Sequence, residues 1–158
     1  MKSLVVFYSR TGTTKKAAEQ VAKSLKCDIE EIIDLHNRKG AIGYLKSGMH
    51  ATLKRPSKIK KPIKDPSSYD LVIIGTPIWS FDVSSPVRAY IMQNKGKIKK
   101  AAFFCTMGGS GGERAFREMG HLIGKRPVAV LDMRTKEVIK DEHLGKIKSF
   151  VKRIKQIE

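Results

Sequence analysis

Cysteine and tryptophan are scarce in this 158-residue chain, with two of the first and one of the second. Cys27 and Cys105 lie far apart, each in an apolar context, which excludes a disulfide framework and a cysteine-rich zinc site and reads as two inert core thiols. Long apolar runs are missing too. The longest, Leu71 to Ile74 and Ala101 to Cys105, fall far short of the roughly 20 residues that span a membrane. Leu4 to Tyr8 is too short for a signal-peptide core and no small-residue cleavage site follows, so a cytoplasmic protein with no membrane partner is expected. Acid is scarce as well. Against 32 Lys and Arg stand only 15 Asp and Glu, a net charge of +17. Such a surface attracts polyanions, acidic proteins and phosphorylated cofactors, and makes those encounters salt-dependent.

What is present reads as one α/β domain over residues 1–158. Ser3 to Tyr8 is a short apolar run bounded by Ser9, Thr11 and Gly12, a buried strand entering a turn. A helix follows from about Thr13, with Ala17, Ala18, Val21, Ala22 and Leu25 at helical spacing. Asp28 to Ile33 is a more polar strand, suited to a sheet edge. Arg38 to Leu53 is ambiguous: Ile42, Tyr44, Leu45 and Met49 line one helical face, but Gly40, Gly43 and Gly48 weaken a helix. The basic, proline-punctuated stretch from Lys54 to Pro66 reads as a solvated loop. Asp70 to Gly75 lacks polar alternation, as a central strand buried on both faces does. Ser85 and Pro86 read as a capping hydroxyl and a first-turn proline. Ala101 to Thr106 and Val128 to Met133 complete five strands, and a last helix is expected from about Asp141, with the stripe Leu144, Ile147, Val151 and Ile154. Five strands alternating with helices imply right-handed crossovers and a parallel sheet covered on both faces.

Ligands bind beyond the carboxyl ends of strands in such sheets, where the strand order reverses. Three segments of unusual composition follow strands one, three and four: Ser9-Arg10-Thr11-Gly12-Thr13-Thr14, Thr76-Pro77-Ile78-Trp79-Ser80, and Thr106 to Gly112. In the order 2-1-3-4-5 these strands are neighbours and their loops meet. The first loop offers hydroxyls and backbone N–H groups at a helix start, where a phosphate is favoured; a simple helix cap is the other reading. Neither the triphosphate-loop pattern nor the dinucleotide glycine fingerprint is present. Trp79 reads either as a plane that stacks on an aromatic ligand or as a lid over the sheet edge. Thr106-Met107-Gly108-Gly109 lets backbone N–H groups approach a flat ring closely, or is a flexible turn. His36, His50, His121 and His143 have no metal-ligand spacing and no acid paired locally, so neither catalytic nor metal-binding residues are assigned. No Gly-x-Ser-x-Gly elbow supports hydrolase chemistry.

These segments resemble those of the flavodoxin family along nearly the whole chain, and Ser9-x-Thr11-Gly12-x-Thr14 is the most specific part of the likeness. The resemblance implies a three-layer α/β/α sandwich around a five-stranded parallel sheet of order 2-1-3-4-5, with FMN at the switch point. It implies that Ser9, Arg10, Thr11, Gly12, Thr13 and Thr14 hold the FMN phosphate, with Thr76 near the ribityl chain. Pro77, Ile78 and Trp79 would wall one side of the isoalloxazine, while Thr106, Met107, Gly108 and Gly109 meet its edge. Two features depart from the family. The second flanking loop carries no aromatic residue, which leaves one flavin face open, and the charge is basic where the family is commonly acidic. An FMN electron carrier is therefore expected, with an acidic partner such as a ferredoxin steered by Lys54 to Lys64 and Lys95 to Lys100. The alternative is an NAD(P)H-dependent quinone or flavin reductase using the same site, taking NAD(P)H or a quinone as substrate. A nucleic-acid-binding module has only the charge in its favour.

Overall fold

The computed structural model describes residues 1–36 and 40–157, without the side chains of residues 50–52. Strand β1 (Ser3–Phe7) leads into helix α1 (Thr13–Leu25), and β2 (Asp28–Glu31) into α2 (Gly40–Thr52). Next come β3 (Leu71–Trp79), β4 (Asp82–Val83), α3 (Ser85–Asn94), β5 (Ala101–Met107) and α4 (Gly112–Ile123). β6 (Val130–Arg134), α5 (Thr135–Ile139) and α6 (Leu144–Lys155) complete the chain.

Five strands pair in parallel in the order β2-β1-β3-β5-β6, which is the expected order, and the two-residue β4 is an addition that runs antiparallel to the end of β3. Alternate side chains of each strand enter opposite layers. Leu4, Val6, Val72, Ile74 and Phe103 pack with Tyr90 of α3 and Phe116 of α4 on one face. Val5, Phe7, Ile73 and Phe104 pack with Val21 of α1 and Phe150 of α6 on the other. The sandwich therefore has two apolar layers, and both cysteines serve them. Burial pushes the Cys105 thiol up to about 12 and the Cys27 thiol up to about 11.

β2 is the half-exposed edge that its polar sequence suggests. The basic loop after α2 runs along that edge rather than lying free in solvent. Ile59 bridges Asp34, and the Ile63 and Lys64 N–H groups donate to the Glu30 carboxylate at 2.5 and 3.0 Å. Backbone donors and a lysine-rich cover blunt an edge that would otherwise recruit another strand.

Boundaries differ from expectation in three places. β3 continues through Pro77 to Trp79, because Thr76 and Pro77 stay in register with Cys105 and Thr106 of β5. Helix α3 begins at Ser85 with Ser84 before it, and neither hydroxyl caps the helix. Ser84 is instead tied to β3: its N–H donates to Thr76 Oγ1 at 3.1 Å. The last helix starts at Leu144, since Asp141 adopts a left-handed φ of 58° that separates α5 from α6. His143, buried at that junction, bonds the Glu137 carbonyl and Gln20.

Gly75 sits where the sheet meets its cover. A Cβ there would fall 2.0 Å from the Phe104 ring, so no larger residue fits without moving that ring. Gly75→Ala should lower stability by about 1 to 3 kcal/mol, as overpacking does; urea denaturation of the two proteins checks it, and equal midpoints would show that Phe104 yields freely.

Candidate functional site

The carboxyl ends of β1, β3 and β5 emerge side by side because β3 lies between the other two. After β1 the chain turns through Ser9 to Gly12, where the Gly12 N–H donates to Ser9 Oγ at 3.1 Å. Gly12 has a φ of 96°, a conformation that side chains resist, and this lets the loop turn straight into α1. No side chain caps that helix and its first turn carries no acid, so an anion meets donors and a favourable dipole there. The first turn is fastened across the sheet. Thr14 and Thr106, both buried, share a hydrogen bond of 2.7 Å between their hydroxyls.

Between these loops lies a cleft of about 240 Å³. Arg10, Thr11, Thr13 and Thr14 line it from the first loop, Pro77, Ile78 and Trp79 from the end of β3, and Thr106, Met107 and Gly108 from the end of β5. Ser9 and Gly12, joined by their hydrogen bond, and the exposed Gly109 are not among the residues that line the cleft. Thr76 is fully buried and turned toward Ser84, 3.0 Å between hydroxyl oxygens, rather than into the cleft. Trp79 is neither a loop tip nor a loose lid. It ends β3, is 6% exposed, and meets Tyr8 edge to face at 5.5 Å, so the indole is an anchored wall.

Against known proteins, a family model described as flavodoxin matches residues 2–142. The chain belongs to the flavodoxin family. It is similar to the crystal structure of a flavoprotein in complex with FMN from Lactobacillus acidophilus NCFM, at 26% identity and a TM-score of 0.73, covering 88% of this chain and 97% of that one. The apo-form NMR structure of the flavoprotein from that organism gives 27% identity and a TM-score of 0.65, with 88% and 95% covered. Oxidised flavodoxin 1 from Bacillus cereus shares the fold, at 18% identity and a TM-score of 0.55, with 96% and 98% covered. No curated protein sequence matches the chain.

Two residues of this flavodoxin line the cleft that sequence reasoning missed, Tyr44 and Thr135. Thr135 follows β6, so the rule that singled out the other loops applied to it; its hydroxyl donates to the Met107 carbonyl at 3.2 Å. Tyr44 comes from α2, and the Arg10 guanidinium lies 5.4 Å above its ring. A second groove of about 310 Å³ adjoins, lined by Tyr44, Leu45, Gly48, Met49, Ile78, Trp79 and Ser80. One histidine differs from expectation: His36 pairs with Asp34 at 3.1 Å. The side chain of His50 lies outside the described residues.

The β3–β4 turn, also unforeseen, is built on Ser80 and Phe81 with φ of 47° and 63°. A two-residue hairpin demands this conformation and ordinarily uses glycine or asparagine. Buried charge holds it. Asp82 and Arg88 are 2% and 3% exposed and lie 3.6 Å apart, and Arg88 Nη1 donates to Glu118 Oε1 at 2.8 Å. Lys54 Nζ reaches Glu118 Oε2 at 3.0 Å. Burial pushes the Glu118 carboxyl up, but the hydrogen bonds from Arg88 and Lys54 outweigh it and hold the group below its ordinary value. A carboxylate so held stabilises the fold above its ordinary pKa, and that contribution disappears as pH falls through the folded value. Glu118→Gln should therefore flatten the acid limb of the stability curve, and Arg88→Met should cost about 3 to 5 kcal/mol by removing the near partner of buried Asp82 and leaving Glu118 to Lys54 alone. Melting temperatures from pH 3 to 7 check both; parallel acid limbs for wild type and Glu118→Gln would remove Glu118 from the account.

Proposed function

We propose that this flavodoxin binds FMN noncovalently in the cleft and carries electrons between redox partners. The observation that carries the reading is the convergence of three strand ends on one cleft, with a hydroxyl-rich helix start at one end and an indole wall at the other. The residues suit the group. Thr11, Thr13 and Thr14 with the first-turn N–H groups would hold the phosphate, and Arg10, oriented by Tyr44, would add charge. Pro77, Ile78 and Trp79 would wall the ring, and the backbone of Thr106, Met107 and Gly108 would meet its edge. Thr76 would act from behind, fixing the end of β3 through Ser84.

Bound FMN would supply the redox chemistry, and the chain would tune it through stacking, edge hydrogen bonds and nearby charge. Among the described residues that line the cleft there is no carboxylate, histidine or cysteine. The Tyr44 phenol is the only candidate general acid among these described residues, and the Arg10 guanidinium lies over its ring, which supports a carrier over an enzyme. With Arg10 close by and no acid opposing it, added negative charge on the ring is stabilised, and the potential should be raised.

One observation favours the second reading, an NAD(P)H-dependent quinone or flavin reductase: Gly108, Gly109 and Ser110 are exposed and place no aromatic side chain over the ring. Steady-state turnover with NAD(P)H and a quinone separates the two, since a carrier should show none above free FMN. Apoprotein titrated with FMN should turn yellow and quench flavin fluorescence. Trp79→Ala should weaken binding by about 1 to 3 kcal/mol through lost stacking and buried area. Unaltered affinity, in a variant whose circular dichroism matches wild type, would take Trp79 out of the site.

A further inference from the structure

Helix α2 is inside out. Its buried residues are small, Gly43 and Ser47, one turn apart, and Ser47 donates to the Gly43 carbonyl at 2.7 Å. Its large apolar residues face outward. Ile42 is 83% exposed, Leu45 71%, Met49 53%, and Leu53 just past the helix 52%. Spacing of three, four and four residues sets them in one stripe. A helix of a protein acting alone turns such a stripe inward, and contiguous exposed apolar surface marks a contact site.

Two further observations say what kind of contact. The inner border of the stripe, Leu45 to Met49, forms one wall of the 310 Å³ groove against Ile78, Trp79 and Ser80, so the surface is concave beside the cleft. Residues 35–64 contain nine Lys and Arg and no Asp or Glu, so the stripe lies within the most one-sided stretch of charge in the chain. We propose that the outer face of α2 and this groove form the docking site for an acidic redox protein that presents a protruding apolar side chain ringed by carboxylates.

An apolar centre with a charged rim is how such encounters are oriented. A flat anionic bilayer would leave the groove unfilled, and a second copy would bring a charge of +17 against another +17. The inference deepens the electron-carrier reading and rests on it, because a partner seated in the groove touches Tyr44, Ile78 and Trp79, the residues shared with the cleft. With FMN bound, a one-electron donor seated there would be oxidised by one electron and the flavin reduced by one, and any accompanying proton would come from solvent.

The test uses an acidic [2Fe–2S] ferredoxin as probe, with direct binding measured by calorimetry and electron transfer by stopped-flow bleaching of the FMN-loaded protein. Ile42→Asp/Leu53→Asp alters the stripe without touching a residue of the cleft. Binding and the second-order rate should both fall at least about tenfold in this variant, as carboxylates placed against an acidic partner require. The wild-type rate should fall as salt rises from about 20 to 300 mM. FMN affinity and melting temperature should stay as in wild type, and Lys148→Glu on α6 should change the rate less than about twofold. Equal ferredoxin binding by wild type and the double variant overturns the docking site. So does a loss confined to sedimentation with anionic vesicles, or to self-association in the ultracentrifuge. Failure to bind FMN while the stripe-dependent calorimetric binding persists overturns the carrier reading alone.

Discussion

The position of β3 between β1 and β5 is the constraint on which the site depends. Parallel pairing on both sides forces the carboxyl ends of all three strands to one end of the sheet, and right-handed crossovers place the following helices on opposite faces. The register then decides depth. Phe7 stands opposite Gly75, while Pro77 stands opposite Thr106, so β3 and β5 run on beyond the end of β1 and leave a step for the first loop. The hydroxyl pair of Thr14 and Thr106 closes that step across the sheet. It ties the helix start directly to the end of β5, in addition to the link that β1 and β3 provide through the sheet.

The same constraint explains the division of chemistry. The strand ends supply backbone groups, hydroxyls and one indole, all held by hydrogen bonds or packing to the layer below. These strand-end groups can bind and orient a ligand through hydrogen bonds and stacking. The buried charges lie one layer away, under the β3–β4 hairpin, where Asp82, Arg88 and Glu118 meet. Arg88 Nε has no partner among the described residues, so this cluster is under-satisfied and adds little net stability for its burial. Its effect is positional: it fixes a hairpin whose left-handed Ser80 and Phe81 would otherwise relax, and whose first strand carries Trp79.

Much of this was legible in the sequence because the signals are local. Apolar runs without alternation marked β3 and β5, and the change to helical spacing marked α1 and α4. The order of the sheet came through the family likeness rather than through any single residue. What escaped has a common physical origin. β4 has two residues, too few for any period, and its turn uses Ser-Phe in place of the residues that announce a hairpin. Ser84 and Ser85 read as a cap because the competing acceptor, Thr76, is close only after β3 and β4 have paired. Thr76 itself shows the same limit, since its composition fitted a ligand contact while its hydroxyl is consumed by the scaffold.

Helix α2 is the sharpest instance. Periodicity located the stripe from Ile42 to Met49, but a period says only that residues share a face, never which way the face turns. Direction is set by what the opposite face can pack against, and Gly43 with Ser47 allows the closest approach to β3 and the hairpin; a Cβ on the neighbouring Gly48 would already lie 2.9 Å from Ser80 Oγ. Small residues inward force large residues outward. The glycines that weaken the helix by propensity are therefore what seat it, and the same choice that brings Tyr44 to the cleft leaves Ile42 and Leu45 facing solvent.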